Sequence, residues 1–392
     1  MGKRVGIEVS LAIAEAAGMC NPDVVAAYPI TPQTHVVEHL SELVADGHLD
    51  AEFIPVESEH SAMSACVGAA AAGARTFTST SSQGYALMSE ICYIASALRL
   101  PIVMAVANRA LSAPISIWND LADLMMARDT GWIQLIAENG QEAVDLTIQA
   151  FKIGEDPRVL FPVQVNFDGF TLSHMVEPIF MPDKAEVEAY LPPYKPQLRL
   201  DPDNPITMGP VGMPDIYTEA RKAQDEAFNA TLPVVVEAWK EFEEKFGRQY
   251  KLVETYKTED AETIIVMLGS ISESAMTAVD HLRSKGKKVG VARFRIFRPF
   301  PADALLAVIK DAKNLVVIDR AMSFNGGKVA APIALEVKSL LFDKGLNPKF
   351  YNVVAGLGGR DVTVENFEDM VDKVAAAKNG DLPAYEIINV RE

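Results

Sequence analysis

One pattern limits the possible folds of this chain more than any other. From residue 23 onward, short apolar, β-rich runs alternate with stretches of helical periodicity. DVVAAYPI (23–30), AEFIPVE (51–57), ARTFTST (74–80), PIVMAVAN (101–108) and VLFPVQVNFD (159–168) read as strands. Between them, 34–45, 58–72, 85–98 and 141–156 read as helices, with SSQG (81–84) as a turn. Strands joined by helices of about ten residues or more are joined by crossovers, and crossovers build parallel sheets covered on both faces. The expected class is α/β, with doubly wound domains.

The alternation stops between about 176 and 215. Nine prolines fall between Pro178 and Pro214 without periodicity, which marks an extended crossover and a boundary. Residues 215–248 read as a helical stretch interrupted near Pro233. A second α/β unit follows, with strands at ETIIVMLGS (262–270), KVGVARFRIF (288–297), NLVVIDRA (314–321) and PKFYNVVAG (348–356). Its helices are expected at 273–285, 301–310 and 328–342. The organisation predicted is a first domain over 1–175, a Pro-rich crossover and helical linker over 176–249, and a second domain over 250–392. At the start, MGKRVGIEVSLAIAEAAGM has no long apolar run or cleavage site, and its small apolar residues suggest a helix rather than a signal peptide.

Composition excludes several classes of function. The formal net charge of -17 makes nucleic acid and an anionic membrane surface poor partners. No window reaches the roughly 18 apolar residues of a membrane helix. The three cysteines, Cys20, Cys66 and Cys92, lie far apart, with no CxxC and no neighbouring histidine cluster. They read as reduced, buried thiols in a cytoplasmic protein, not as ligands of zinc or of an iron–sulfur cluster held by this chain alone.

Ligands of open parallel sheets bind beyond the carboxyl ends of the strands. Four loops of the first domain occupy such places: YPITPQT (28–34), VESEHS (56–61), TSSQG (80–84) and NRALSAP (108–114). There is no GxGxxG after a strand and no GxxxxGK[ST], so a self-contained dinucleotide or P-loop site is unsupported. The glycines of GAAAAG (68–73) read as small residues that let a helix pack closely. Glu59 opens a helix made otherwise of small and apolar residues. It is either a helix-start carboxylate favoured by the dipole or a carboxylate in an apolar site suited to sharing a proton. Arg109 follows an apolar strand with no acid beside it in sequence. It is either paired with a distant carboxylate or a fork for an anionic substrate. Thr31 either steadies its loop or bonds a ligand. His60, His174, Trp118 and Trp132 read first as surface or packing residues.

Taken in order, YPITP, the Ser-Glu of VESEHS, TSSQG, RLPIVMAVANRALSAP, RDTGWIQL, FDGF..SH, RFRIFRPFP and GLGGRDV resemble the α subunit of the pyruvate:ferredoxin oxidoreductase family. The resemblance covers almost the whole chain, and NRALSAP narrows it to the pyruvate-like branch. It implies a thiamine-diphosphate pyrimidine-binding-like first domain and a transketolase C-terminal-like second domain. It also implies oxidative decarboxylation of pyruvate to acetyl-CoA and CO2, with coenzyme A as co-substrate and electrons passing to [4Fe-4S] clusters on other subunits. Thiamine diphosphate and its Mg2+ would be shared with a partner. Beta, gamma and delta-type subunits and ferredoxin or a similar acceptor are the implied partners. By the same matching, Glu59 exchanges a proton with the aminopyrimidine ring and Arg109 pairs with the substrate carboxylate. Thr31 bonds the substrate's oxygens, and Pro29, Ile30, Ser82 and Gln83 contact the cofactor. The sequence departs from the family where a His-x-Asp is often found and Leu121-Ala122-Asp123 stands instead, followed by Leu124, Met125 and Met126. That run raises a bulkier or aromatic 2-oxoacid, such as phenylglyoxylate, as the alternative substrate. A docking subunit without catalytic residues and a self-sufficient dehydrogenase are the alternatives from other classes.

Overall fold

The structure is a computed structural model that describes residues 2–325, 329–378 and 381–391. The front of the chain runs β1 (Lys3–Glu8), α1 (Val9–Met19), β2 (Val24–Ala27), α2 (Thr34–Ala45), β3 (Glu52–Pro55), α3 (Glu59–Ala71), β4 (Thr76–Thr80), α4 (Ser82–Ala97) and β5 (Val103–Asn108). It continues through α5 (Ala122–Met126), β6 (Ile133–Ile136), α6 (Gly140–Gly154), β7 (Val163–Asp168), β8 (Val176–Met181) and α7 (Lys184–Tyr190). Two long helices, α8 (Pro214–Asn229) and α9 (Thr231–Phe246), lead to the second part. There β9 (Val253–Tyr256), β10 (Thr263–Leu268), α10 (Ser272–Ser284), β11 (Val289–Phe294), β12 (Ile296–Arg298) and α11 (Ala302–Ile309) follow. The chain ends with β13 (Asn314–Asp319), α12 (Pro332–Asp343), β14 (Lys349–Val354), α13 (Val364–Ala376) and β15 (Glu386–Ile387).

Both sheets are doubly wound. The first has the order β12-β6-β7-β5-β4-β2-β3, parallel except at β12. The second has the order β15-β14-β13-β10-β11-β9, with only β9 antiparallel. On one face of the first sheet Phe77, Val103, Ala105 and Val163 bury against α1 and α6 in a cluster that also takes Trp239 and Phe242 from α9. On the other face Met104 and Val106 meet Met63, Cys66, Met88 and Cys92 of α3 and α4. All three cysteines are buried and free, and burial pushes the Cys66 thiol up to about 12.

Several expectations need correcting. The first nineteen residues are not one helix, because Lys3–Glu8 pairs antiparallel with β8, inside the stretch read as an extended crossover. SSQG is not a turn: α4 starts at Ser82. The run 288–297 is broken near Arg295, and Ile296–Arg298 crosses to the edge of the first sheet, with Ile296 opposite Leu135. At the break Arg295 pairs inward with Glu142 and Glu254. The long helical stretch divides at Ala230, three residues before Pro233, which the first turn of α9 tolerates. The expected start of a helix at Lys328 lies outside the described residues; α12 begins at Pro332. No helix among the described residues is long and apolar enough to cross a membrane.

Candidate active site

The carboxyl ends of the two sheets face each other. Arg320, just past β13, donates from Nη1 to both oxygens of Asp168 at the end of β7, at 2.7 and 2.8 Å. The Ser270 N–H and hydroxyl, after β10, bond the same carboxylate. Burial raises the Asp168 carboxyl, but Arg320 and Ser270 outweigh it and hold it below the usual range. The Gly358 N–H, in the turn after β14, donates to Asp120 at 3.1 Å. The strand-end loops of the first sheet are thereby roofed by those of the second.

Glu59 is the first residue of α3. Ser58 caps the helix by accepting from the Ser61 N–H at 3.3 Å, so the Glu59 carboxylate is not the cap. Its side chain is 6% exposed and has no hydrogen-bond or ion-pair partner among the described residues. It lies across the start of α4: a methyl group at Gly84 would come 2.7 Å from Glu59 Cγ and 2.7 Å from Thr80 Oγ1. Thr80 Oγ1 and Ser81 Oγ are buried without partners. The buried acid and the Thr80 hydroxyl thus meet across Gly84 at one strand end, with the Ser81 hydroxyl next in the chain.

Arg109 is buried, and its side chain holds two loops. Nε donates to the Ser116 carbonyl at 2.8 Å and Nη1 to the Thr31 carbonyl at 2.9 Å. It makes no ion pair with any described carboxylate. Burial pushes its guanidinium down from its ordinary value, with the Asp123 charge opposing. Thr31 is exposed at the tip of its loop, together with Pro29; Ile30 is half-buried. Ser82 adopts a left-handed φ of 46°, and its hydroxyl lies 2.6 Å from the Ala110 carbonyl and from Gln83 Oε1. The structure therefore brings Thr31, Arg109, Ser82 and Gln83 into one connected set, with Glu59 beside Gly84 in the same turn of α4.

Other residues turn away or pack. His60 is half-buried and faces Glu90 at 3.6 Å. Trp132 is buried and donates to the Cys92 carbonyl at 2.9 Å. Trp118 differs: half-exposed, it heads a ladder of rings through Phe170 and His174 to His35, with centroids 4.9, 4.5 and 4.7 Å apart. Gly68 meets nothing within 4 Å and permits no close helix packing, whereas Gly73 lies against Pro196 and Arg199 of the crossover. Leu121, Leu124 and Met125 are buried in a cluster with Val266, Leu268 and Ala321 between the sheets, so they do not widen a substrate cavity.

Sequence reasoning missed two residues of the site. Gln33, fully buried, bonds the Ser79 carbonyl at 2.7 Å and its hydroxyl at 2.8 Å, pinning the 28–33 loop to β4. Asp123 sits at the centre of the connected loops. Two signals for it stood in the sequence: an acid inside the apolar run LADLMM, and its place as the aspartate of the His-x-Asp pattern, whose histidine position alone is changed, to Leu121.

Residues 15–240 match a family model described as pyruvate flavodoxin/ferredoxin oxidoreductase, thiamine-diphosphate binding. Residues 261–367 match pyruvate:ferredoxin oxidoreductase core domain II. The chain is 50% identical over 371 residues to pyruvate synthase subunit PorA of Methanocaldococcus jannaschii, covering 94% of each. It is 43% identical over 373 residues to ketoisovalerate oxidoreductase subunit VorA of Pyrococcus horikoshii, covering 94% of this chain and 93% of that one. Among solved structures it resembles the 2-oxoglutarate:ferredoxin oxidoreductase of Magnetococcus marinus with 2-oxoglutarate, coenzyme A and succinyl-CoA bound. That likeness, a TM-score of 0.69 at 19% identity, covers 95% of this chain and 65% of that one and concerns the fold.

Proposed function

The chain belongs to the pyruvate:ferredoxin oxidoreductase family, and from that premise we propose that it is the α-type subunit of a coenzyme-A-acylating 2-oxoacid:ferredoxin oxidoreductase acting on pyruvate with thiamine diphosphate. The observation that carries this reading is the buried, unpartnered carboxylate of Glu59 beside Gly84 and the orphaned hydroxyls of Thr80 and Ser81. These residues fit the pyrimidine end of thiamine diphosphate: an acid to hold a proton at a ring nitrogen, with Pro29 and Ile30 on the loop that follows β2, the strand beside β4. When bound, the cofactor supplies an acidic carbon that adds to the ketone of a 2-oxoacid and takes up the electrons left by loss of CO2.

Glu59 holds and returns the ring proton; its position at the positive end of α3 and its burial keep that exchange local. Arg109 presents its remaining N–H groups to the substrate carboxylate, held in direction by the Ser116 and Thr31 carbonyls. Thr31, on the loop that Arg109 steadies, bonds the substrate's oxygens. Ser82 and Gln83 line the cofactor side.

The diphosphate and its Mg2+ are assigned to a partner subunit of beta type, since this sequence has no Gly-rich phosphate loop. The [4Fe-4S] clusters and the route to ferredoxin are assigned to that subunit and to gamma and delta-type subunits. The buried thiols suit a cytoplasmic address. The division into 1–175, 176–249 and 250–392 is retained, with Ile296–Arg298 lent to the first sheet. Pyruvate is preferred over a bulkier acid because Leu121, Leu124 and Met125 are committed to the core. The branched-chain 2-oxoacid named for the P. horikoshii relative is the second candidate.

The test is Glu59→Gln in the complex assembled with its partners. Dye reduction with pyruvate and coenzyme A falls by about 10²–10⁴-fold, the range for loss of a positioned acid–base group, with assembly intact. Turnover at the wild-type level would remove Glu59 from the reaction.

A further inference from the structure

Asp123, the second residue of α5, is fully buried, and among the described residues no cation bonds its carboxylate. One oxygen, Oδ2, accepts the N–H of Ser82 and the N–H of Arg109, each at 3.0 Å. The other, Oδ1, accepts Nδ2 of Asn108 and the N–H of Leu124, each at 2.8 Å. The four donors come from the start of α4, the end of β5, the loop that follows it, and α5 itself. A carboxylate buried without a paired cation is costly unless its acceptor sites are filled, and here they are.

Two of those donors matter for chemistry. The Ser82 N–H belongs to the turn of α4 whose Gly84 faces Glu59. The Arg109 N–H belongs to the residue whose guanidinium spans Thr31 and Ser116. Both bonds end on the same oxygen atom, so the two amides cannot drift apart while the carboxylate stays in place. A fully buried carboxylate in the second sheet, Asp319, makes a similar set of bonds, accepting from the Ile333 and Ala334 N–H groups and from Asn352. Its donors carry no candidate site residue.

We infer that Asp123 is a positioning residue of the reaction: through one carboxylate oxygen it fixes the spacing between the cofactor-facing start of α4 and the substrate-facing Arg109. The inference rests on the role proposed above for Arg109. It gives the reaction a geometric requirement that neither Arg109 nor Glu59 meets alone, since misplacement of about 1 Å at such a site costs on the order of 10²-fold in rate.

The experiment uses the assembled complex with pyruvate, coenzyme A and a viologen dye, and it follows KM, kcat and thermal unfolding together. Asp123→Asn is expected to raise the pyruvate KM about tenfold, because an amide keeps one acceptor oxygen where the four donors now share two, and its NH2 faces a donor. In an Arg109→Ala background the same substitution changes KM by less than about twofold, because its effect runs through Arg109. Asp319→Asn, the control, lowers the unfolding temperature and leaves the pyruvate KM unchanged. Asn108→Ser withdraws one donor and keeps the carboxylate; it raises KM about threefold and remains measurable if Asp123→Asn fails to assemble. A KM within twofold of wild type in both Asp123→Asn and Asn108→Ser overturns the inference, and so does an undiminished Asp123→Asn effect in the Arg109→Ala background. An unchanged KM in Arg109→Ala alone fails the reading of Arg109 and takes this inference with it. A KM effect of Arg109→Ala with Asp123→Asn inert sinks only the inference.

Discussion

The carboxyl edges of the two sheets use the same local device for different ends. In the first, Asn108 at the end of β5 donates to Asp123; in the second, Asn352 in β14 donates to Asp319. Burial pushes both carboxyls up to about 7. Asp319 gives its acceptors to the first turn of α12 and thereby joins a helix to a strand. Asp123 gives its acceptors to Ser82, the first residue of α4, and to the loop that carries Arg109. The motif is therefore a general solution for tying a strand end to its surroundings. What sets the first copy apart is the identity of the residues whose N–H groups it gathers.

That contrast can be broken or sharpened in steps. The largest effect is expected from Glu59→Gln, whose loss of turnover should have no counterpart at any second-sheet edge residue; comparable losses from Asp319→Asn would erase the distinction. Next is Arg320→Ala, which strands the buried Asp168 carboxylate between the sheets. Removing one partner of such a pair costs about 3–5 kcal/mol, read as a drop in denaturant midpoint, and a change below 1 kcal/mol would mean that the sheets do not depend on it.

The third is a pH effect. Both aspartates titrate near 7 when folded and near 4 when unfolded, so the folded chain binds more protons between those values. The stability they contribute is present in full below about pH 4 and is lost as pH rises toward 7, by at most about 1.4 kcal/mol per pH unit for each proton. Asp123→Asn and Asp319→Asn should each flatten the stability profile in that window, measured by urea unfolding at successive pH values. A steeper profile in either variant would contradict the sign. The smallest effect is that of Gly359→Ala. Gly359 has a φ of +78°, and a methyl group there would meet Trp118 Cβ at 2.6 Å. A loss of about 1–3 kcal/mol in stability is expected, with a raised pyruvate KM because the strain falls on the loop that carries Arg109.

The sequence disclosed the parts of the fold that local periodicity writes down. The helix over Thr34–Ala45 and the buried strands Val103–Asn108 and Asn314–Asp319 stand where apolar runs put them. It hid elements whose existence depends on distant partners. Lys3–Glu8 is a strand only because β8 lies beside it, and the four residues of β6 are too few to show a period. At the site, Arg109 and Glu59 were legible as charges standing alone at strand ends. Gln33 was not, and Asp123 was legible only as the aspartate of a His-x-Asp pattern, without a role, because their importance lies in bonds to Ser82, Arg109 and Ser79, up to 46 residues away. Leu121 misled for the same reason: its apolar character was plain, but the cluster that absorbs it is built largely from residues after 250.

The crossing of Ile296–Arg298 to the rim of the first sheet also bears on how the polypeptide can be cut. Proteolysis or truncation in the segment between α9 and β9 would strip β12 from β6 and bare a row of amide and carbonyl groups along Ile133–Ile136. Bare strand rims recruit other chains. A fragment ending near Gly247 is therefore expected to self-associate through that edge.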